Sequence, residues 1–307
     1  MISVLCPFYN EESGVGIFFE TLIPVMENIG DDFEIVCVND GSTDNTLHEL
    51  NEMAESDRRI RVIDLSRNFG KEAALTAAID FSLGDAVIPI DADLQDPPQL
   101  IEEMIKKWKE GFDVVLARRK DRKSDSFLKR STALAFYKLH NIISKHPLPE
   151  NVGDFRLMSR EVVEAIKKLP ERQRFMKGLF AWVGFKTCFV DYIRKERSAG
   201  KSKFNGWKLW KLAIEGITSF STFPLTIWLY IGGITAFCSF GYAVFIFMRT
   251  LIFGIDLPGY ASMLCLILFL GGLQLIGIGI IGEYLGRVYM ESKQRPIYIV
   301  RENKGYE

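Results

Sequence analysis

Two stretches of this chain contain no Asp, Glu, Lys or Arg: Gly216 to Met248 and Leu257 to Gly282. Each exceeds the roughly 20 apolar residues that a helix needs to cross a bilayer. No other feature restricts the fold so strongly, because backbone polar groups in such runs need internal partners, which a helix supplies. A short link carrying Arg249 and Asp256 separates them. The expected arrangement is a hairpin of two membrane-spanning helices, over 223–250 and 258–285. Two crossings return the chain to the side it left. Lys201, Lys203, Lys208 and Lys211 precede the first run, and Arg287, Lys293 and Arg295 follow the second, against one Arg in the link. Cytoplasmic flanks are rich in Lys and Arg, so the N-terminal region and the 286–307 tail are both expected in the cytoplasm. The competing reading is a buried hairpin in a soluble core.

Around the spans, Trp207, Trp210, Ile214 and Ile217 recur at helical spacing with Lys208 and Lys211 opposite. That predicts an interfacial amphipathic helix over 206–222. Glu283 and Arg287, one turn apart at the end of the second span, read as a structural pair.

The first 205 residues read as one domain. Strand patterns at Ile2–Pro7, Phe33–Asn39, Arg61–Leu65 and Ala86–Ile90 alternate with helical patterns at Gly14–Ile29, Thr43–Ala54 and Lys71–Leu83. This alternation predicts an α/β fold, an open and mostly parallel sheet with helices on both faces. Such sheets bind ligands at the carboxyl ends of their strands, and the polar motifs fall there. The run after the fourth strand, Asp91-Ala92-Asp93-Leu94-Gln95-Asp96-Pro97-Pro98, holds three clustered acids. Clustered carboxylates repel unless a cation or donors neutralise them. Oxygen ligands of this kind suit Mg²⁺ or Mn²⁺ shared with nucleotide phosphates. A solvated acidic loop capping a helix is the plainer alternative.

After the first strand comes Pro7-Phe8-Tyr9-Asn10-Glu11-Glu12. Tyr9 offers an aromatic face for a base and Glu11 an acceptor; an ordinary strand-to-helix turn, with acids at the helix N-terminus, explains it equally well. After the second comes Asn39-Asp40-Gly41-Ser42-Thr43-Asp44. Gly41 permits a tight turn and Ser42 or Thr43 can cap the next helix. Asp40 is surplus to capping and could accept from a base or ribose. In Ser66-Arg67-Asn68-Phe69-Gly70-Lys71, a glycine turn into a helix with an adjacent Lys can hold phosphate.

Charge is nearly balanced, 38 bases against 39 acids for a net −1, which gives no reason to invoke nucleic acid. Cys6, Cys37, Cys188, Cys238 and Cys265 are scattered and odd in number, as expected for reduced thiols in a cytoplasm-facing protein. Met1 to Cys6 has no basic leader and is expected to run directly into a strand.

Pro7–Glu11, Asn39–Asp44 and Asp91–Pro97, in this order at these strand ends, resemble family 2 glycosyltransferases. The similarity is closer to polyprenyl-phosphate glycosyltransferases, the group of dolichol-phosphate mannose synthase. Asn151–Arg160 and Lys203–Trp210 resemble, more narrowly, bacterial and phage bactoprenol glucosyltransferases of O-antigen modification. The match covers essentially the whole chain. It implies a GT-A nucleotide-sugar fold and an inverting, metal-dependent transfer of glucose from UDP-glucose to undecaprenyl phosphate. Other donors (GDP-mannose, UDP-GlcNAc or UDP-galactose) stay open, because no residue reads out the sugar's hydroxyls.

By the same resemblance, Pro7, Tyr9, Glu11, Asp40, Lys71, Asp91, Ala92 and Gln95 bind the donor. Asp91, Asp93 and Gln95 hold Mg²⁺ or Mn²⁺, and Asp91, Asp93 and Asp154 are the catalytic acids. Asp154 could orient a sugar hydroxyl or hold Arg156. Arg118, ending a strand from Val114, and Arg130, on a helix from Phe127 to about Ser144, are implied contacts to the acceptor phosphate. For Arg119 and Lys123 in the charged loop 119–125, a solvated surface cation fits equally well. Arg197, Ser202 and Lys203 belong to a basic loop expected to close over the diphosphate. The implied setting is the bacterial inner membrane, with both termini cytoplasmic, a homo-oligomer allowed, and a flippase and a periplasmic glucosyltransferase downstream. A processive polysaccharide synthase is the enzymatic rival, but Gln173-Arg174-Phe175 lacks that group's Gln-x-x-Arg-Trp pattern. A non-catalytic nucleotide-sugar sensor is the rival of another class.

Overall fold

The computed structural model describes residues 1–120, 149, 151–172, 174–193, 223–253 and 259–305. The chain forms two units, Met1–Gly216 with Gln294–Glu307, and Ile217–Lys293. It leaves the first unit, builds the second, and returns.

The first unit carries strands β1 (Ile2–Phe8), β2 (Phe33–Asn39), β3 (Ile60–Leu65), β4 (Ala86–Pro89), β5 (Val114–Arg119), β6 (Val152–Ser159), β7 (Thr187–Tyr192) and β8 (Val300–Lys304). They make one eight-stranded sheet in the order β7-β5-β6-β4-β1-β2-β3-β8. β1 pairs parallel with β2 and with β4, and β2 parallel with β3. β6 runs antiparallel between β4 and β5, β7 joins β5 in parallel, and β8 lies antiparallel on β3. This is the mostly parallel α/β architecture expected. Parallel pairing puts the carboxyl ends of β1 to β4 on one sheet edge, so their loops meet there.

Helices α1 (Glu12–Ile29), α2 (Thr46–Ser56), α3 (Lys71–Phe81) and α4 (Leu100–Lys109) connect the early strands, and α5 (Arg160–Lys167) and α6 (Met176–Trp182) follow β6. The helix α1 buries Val15, Phe18, Phe19, Leu22 and Met26, spaced at helical period, in one core with Val4, Cys6 and Phe8. Phe8 and Phe18 meet edge to face with centroids 5.4 Å apart. The helix α3 buries the small residues Ala73, Ala74, Ala77 and Ala78. Cys6 and Cys37 are buried free thiols, as expected, and burial pushes both upward in pKa.

Three expectations need correction. The second helix starts at Thr46, not Thr43, because Asp44 accepts from Thr46 N at 3.1 Å and fixes the preceding turn in non-helical form. Arg119 is not a solvated cation: it ends β5, is 21% exposed, and donates to Tyr192 Oη at 3.1 Å. The 286–307 stretch is more than a tail, since it continues the preceding helix and then supplies β8.

The second unit is a pair of helices, α7 (Phe223–Phe253) and α8 (Tyr260–Ser292). Leu225–Phe253 and Phe269–Ser292 are long and apolar enough to cross a membrane. The helix α8 begins within about two residues of the expected 258 and runs on past the expected 285 to Ser292. Within this unit Trp228 seats on Gly277, where an added Cβ would lie 1.9 Å from the indole Nε1. Glu283 and Arg287 pair at 3.1 Å, as expected. The expected helices over 127–144 and 206–222 lie outside the described residues, as do Lys123, Arg130, Arg197, Ser202 and Lys203.

Candidate active site

The loops after β1, β2 and β3 are cross-linked by side chains that sequence proximity does not connect. Asn10, at φ 53°, accepts from Thr43 N at 2.8 Å, and its own N–H donates to Ser42 Oγ at 3.1 Å. The Glu11 N–H donates to Thr46 Oγ1 at 2.9 Å, and Glu12 accepts from Asn45 Nδ2 at 3.0 Å. Asp40, buried at the end of β2, accepts from Phe69 N at 2.7 Å and from Gly70 N at 2.9 Å. Burial pushes its carboxyl up while these two N–H groups pull it down, and burial prevails. Gly41 has φ 62°, and a Cβ there would come within 2.4 Å of the Arg67 carbonyl carbon. Only glycine permits that approach. Asp40 was singled out as a donor contact; its geometry makes it the clamp between the β2 turn and the Ser66–Gly70 loop.

The loop after β4 turns at Asp91, where Leu94 N donates to Asp91 O at 3.2 Å and Leu94 adopts φ 50°. Asp93 is exposed and accepts from Gln95 N at 3.2 Å and Gln95 Nε2 at 2.5 Å. Gln95 thus spends its amide on Asp93. Asp96 is 5% exposed and accepts from Tyr192 Oη, with Arg119 Nη2 at 3.8 Å. Burial and Asp96 push Tyr192 up to about 12. Ala92 packs against the core beside them.

Lys71 opens α3 and reaches two acids from distant strands. Its Nζ lies 2.6 Å from Asp91 Oδ1 and 2.9 Å from Asp154 Oδ2. Burial works against its charge, but Asp154 and Asp91 together raise its pKa. Asp154 goes the other way: burial would raise it, yet Lys71 and Lys177 hold it down at about 2. Burial pushes Asp91 up, against the pull of Lys71. Asp154 was expected to hold Arg156 or a sugar hydroxyl; its carboxylate meets Lys71, its backbone carbonyl accepts from Arg156 Nε at 3.4 Å, and Arg156 also donates to the Gly153 carbonyl at 2.7 Å and lies 4.1 Å over the Phe180 ring.

Two further residues carry weight that no motif signalled. Glu72 accepts from Met176 N at 3.1 Å, and burial, with Asp154 nearby, lifts it to about 7. Tyr192 secures Asp96 across a separation of 96 residues, which leaves no local pattern. Of the other expected residues, Pro7 lies in β1 and Tyr9 is 47% exposed just beyond it, its ring open to a ligand. Arg118 is held by Asp191 through two bonds of 2.7 and 3.1 Å and lies over Phe189.

Among the described residues no three His, Cys, Asp or Glu side chains form a closed metal cage. Asp91 and Asp93 nonetheless fit Mg²⁺ or Mn²⁺, because such ions commonly take one or two carboxylates and complete their shell from substrate phosphates. The Asp154 Oδ1 atom, moreover, is buried with no hydrogen-bond partner. An orphaned acceptor costs about 1–3 kcal/mol, which a cation or donor at the site would relieve.

Strand ends that gather acids, a bridging lysine and glycine turns mark the carboxyl edge of this α/β sheet as the candidate active site. The chain belongs to glycosyl transferase family 2, whose family model matches residues 3–167. It is 56% identical over 303 residues to the bactoprenol glucosyl transferase of Shigella phage SfV, covering 99% of each chain. The prophage bactoprenol glucosyl transferase homolog of Escherichia coli K12 is 55% identical over 303 residues, again covering 99% of each. Among solved structures, the mannosyltransferase PcManGT from Pyrobaculum calidifontis, in complex with GDP-Man and Mn²⁺, matches 69% of this chain and 60% of its own at 20% identity and TM-score 0.49.

Proposed function

We propose that this glycosyltransferase moves glucose from UDP-glucose to undecaprenyl phosphate, with inversion, at the cytoplasmic face of a bacterial inner membrane. The product is a lipid-linked glucose for O-antigen or other envelope glycan modification. The observation that carries the chemistry is the Asp91–Lys71–Asp154 bridge at the strand ends. The full-length identity to bactoprenol glucosyl transferases, running through both apolar helices, supports the acceptor and the sugar.

Each part of the site has a task in this reading. Tyr9 stacks on the uracil, with Glu11 beside it, while Asp40 shapes the donor loop. Lys71 supplies a fixed positive charge at the diphosphate. Asp91 and Asp93 would hold Mg²⁺ or Mn²⁺, which when bound neutralises the departing nucleotide. The acceptor is a phosphate monoester with a second pKa of about 6, so its oxygen is already charged at neutral pH. It needs positioning and screening rather than proton removal. Asp154, held at about 2 and paired with Lys71, is a poor base and a good orienting counter-ion. Arg118 and Arg130 receive the acceptor phosphate, and Arg197, Ser202 and Lys203 cover the diphosphate.

The return of the chain from α8 into β8 of the sheet supports an even number of crossings, with both termini on the catalytic side. A sugar lipid made there must be flipped and then consumed by a transferase on the opposite face.

The test uses membranes holding the full chain, undecaprenyl phosphate and radiolabelled donors. UDP-glucose should give one labelled lipid. Label from GDP-mannose, UDP-GlcNAc or UDP-galactose alone would replace the sugar, an insoluble polymer would indicate a synthase, and no label from any donor a sensor. Asp93→Asn should abolish transfer while leaving membrane insertion intact; full activity in that variant would remove the metal role.

A further inference from the structure

We propose that β8, the strand following the second apolar helix, is a positioning element of the donor site, and that Arg301 is its principal contact. The part played by the site rests on the donor reading above; the mechanical claim does not.

Ser66 begins the loop that runs to Lys71, and β8 together with Ile299 just before it grips its backbone on both sides. Ser66 N donates to the Ile299 carbonyl at 2.9 Å, and Arg301 Nη2 donates to the Ser66 carbonyl at 2.8 Å. Arg301 Nη1 also lies 3.4 Å from Asp64 Oδ2, on a carboxylate only 5% exposed. The other oxygen of Asp64 accepts from Asn39 Nδ2 at 2.7 Å, and Asn39 Oδ1 accepts from Ser42 N at 3.3 Å. Arg301 therefore caps the end of β3 and sits at one end of a chain of bonds that runs through Asp64 and Asn39 to the turn after β2. The far end of the same loop is held by Asp40 through Phe69 and Gly70. Tyr298 adds a second tether, donating to Asp80 Oδ2 at 2.8 Å near the end of α3, the helix whose first residue is Lys71.

A strand that merely covered a sheet edge would need only backbone pairing. That pairing involves Val62 to Leu65. The side-chain bonds of Arg301 and Tyr298 reach past it, onto the site loop and onto α3. The chain segment that follows the helical hairpin is thus the one that stiffens the donor loop, so the site is finished only when the chain has returned.

The experiment uses the full chain in lipid nanodiscs with Arg301→Ala, Arg301→Lys and Tyr298→Phe. The first readout is amide hydrogen exchange, which needs no substrate. Arg301→Ala should speed exchange at Phe69 and Gly70 about tenfold while leaving β1 unchanged. The second is steady-state transfer: donor KM should rise about three- to tenfold, with kcat and acceptor KM within about twofold. Arg301→Lys should recover part of both effects, because it keeps the charge beside Asp64. Tyr298→Phe should give a smaller shift in the same direction. Unchanged exchange at Phe69 and Gly70 overturns the proposal whatever the donor proves to be. So does exchange accelerated throughout the sheet with all kinetic constants falling together, which marks a general loss of fold. If the wild type transfers no sugar, the donor reading fails and the exchange measurement alone decides this one.

Discussion

Removing one oxygen at Tyr192 tests how the acidic loop is held. Tyr192 is 6% exposed and Asp96 5% exposed, so the bond between them is shielded from solvent. With Tyr192 pushed up to about 12, the hydroxyl keeps its proton at any working pH. A hydrogen bond to a charged group contributes about 1.5–3 kcal/mol. Arg119 stays near Asp96 after the change, so the lower part of that range applies, about 1.5–2 kcal/mol. For a unit of this size a change of 1 kcal/mol moves the melting temperature by about 2–4 °C. Tyr192→Phe should therefore lower it by about 3–8 °C. Asp96 lies two residues beyond the turn that runs from Asp91 to Leu94 and anchors that end of the loop to Tyr192. If half of the lost energy served to hold that turn, Mn²⁺ affinity should fall about 4- to 5-fold. Thermal unfolding and manganese titration of the full chain in detergent give both numbers, and a double-mutant cycle with Asp96→Asn gives the coupling. A coupling energy near zero, or a melting point within about 1 °C of wild type, would refute the reasoning.

Other consequences follow from particular contacts. Gly41→Ala forces a side chain into a left-handed residue against the Arg67 backbone; strain and overpacking together should cost about 2–5 kcal/mol and raise donor KM, measured by melting and kinetics. Glu72 holds its proton up to about 7 in the folded chain but releases it near 4.5 when unfolded, so folding stability should fall as pH rises through that window. Glu72→Gln should remove that slope, on the order of 1–2 kcal/mol after allowance for its partial exposure, as melting curves at pH 5 and pH 7.5 would show; equal slopes would dismiss it. Arg118→Ala should raise acceptor KM about tenfold and leave donor KM alone; if neither moves, its pairing with Asp191 is all that it does.

The primary sequence carried the strand-and-helix alternation, the strand-end motifs and the two charge-free runs, because each depends on periodicity or on close neighbours along the chain. The run of acids from Asp91 to Asp96 at a strand end was legible for that reason, and so was the turn at Gly41. What Asp154, Asp40 and Arg119 do was not legible, since their partners Lys71, Phe69 and Tyr192 come from other strands and loops. Sheet order alone brings Lys71 between Asp91 and Asp154, and only the folded chain turns Asp40 into a clamp on the Ser66–Gly70 loop. The same holds for the C-terminal segment: its composition reads as a polar tail, and its place on β3 exists only once an unpaired sheet edge offers N–H and C=O groups to receive it. Local pattern determined which elements form and where charge is excluded. The meeting of charges distant in sequence at the candidate site was decided by tertiary packing, because only the sheet order brings those strand ends together.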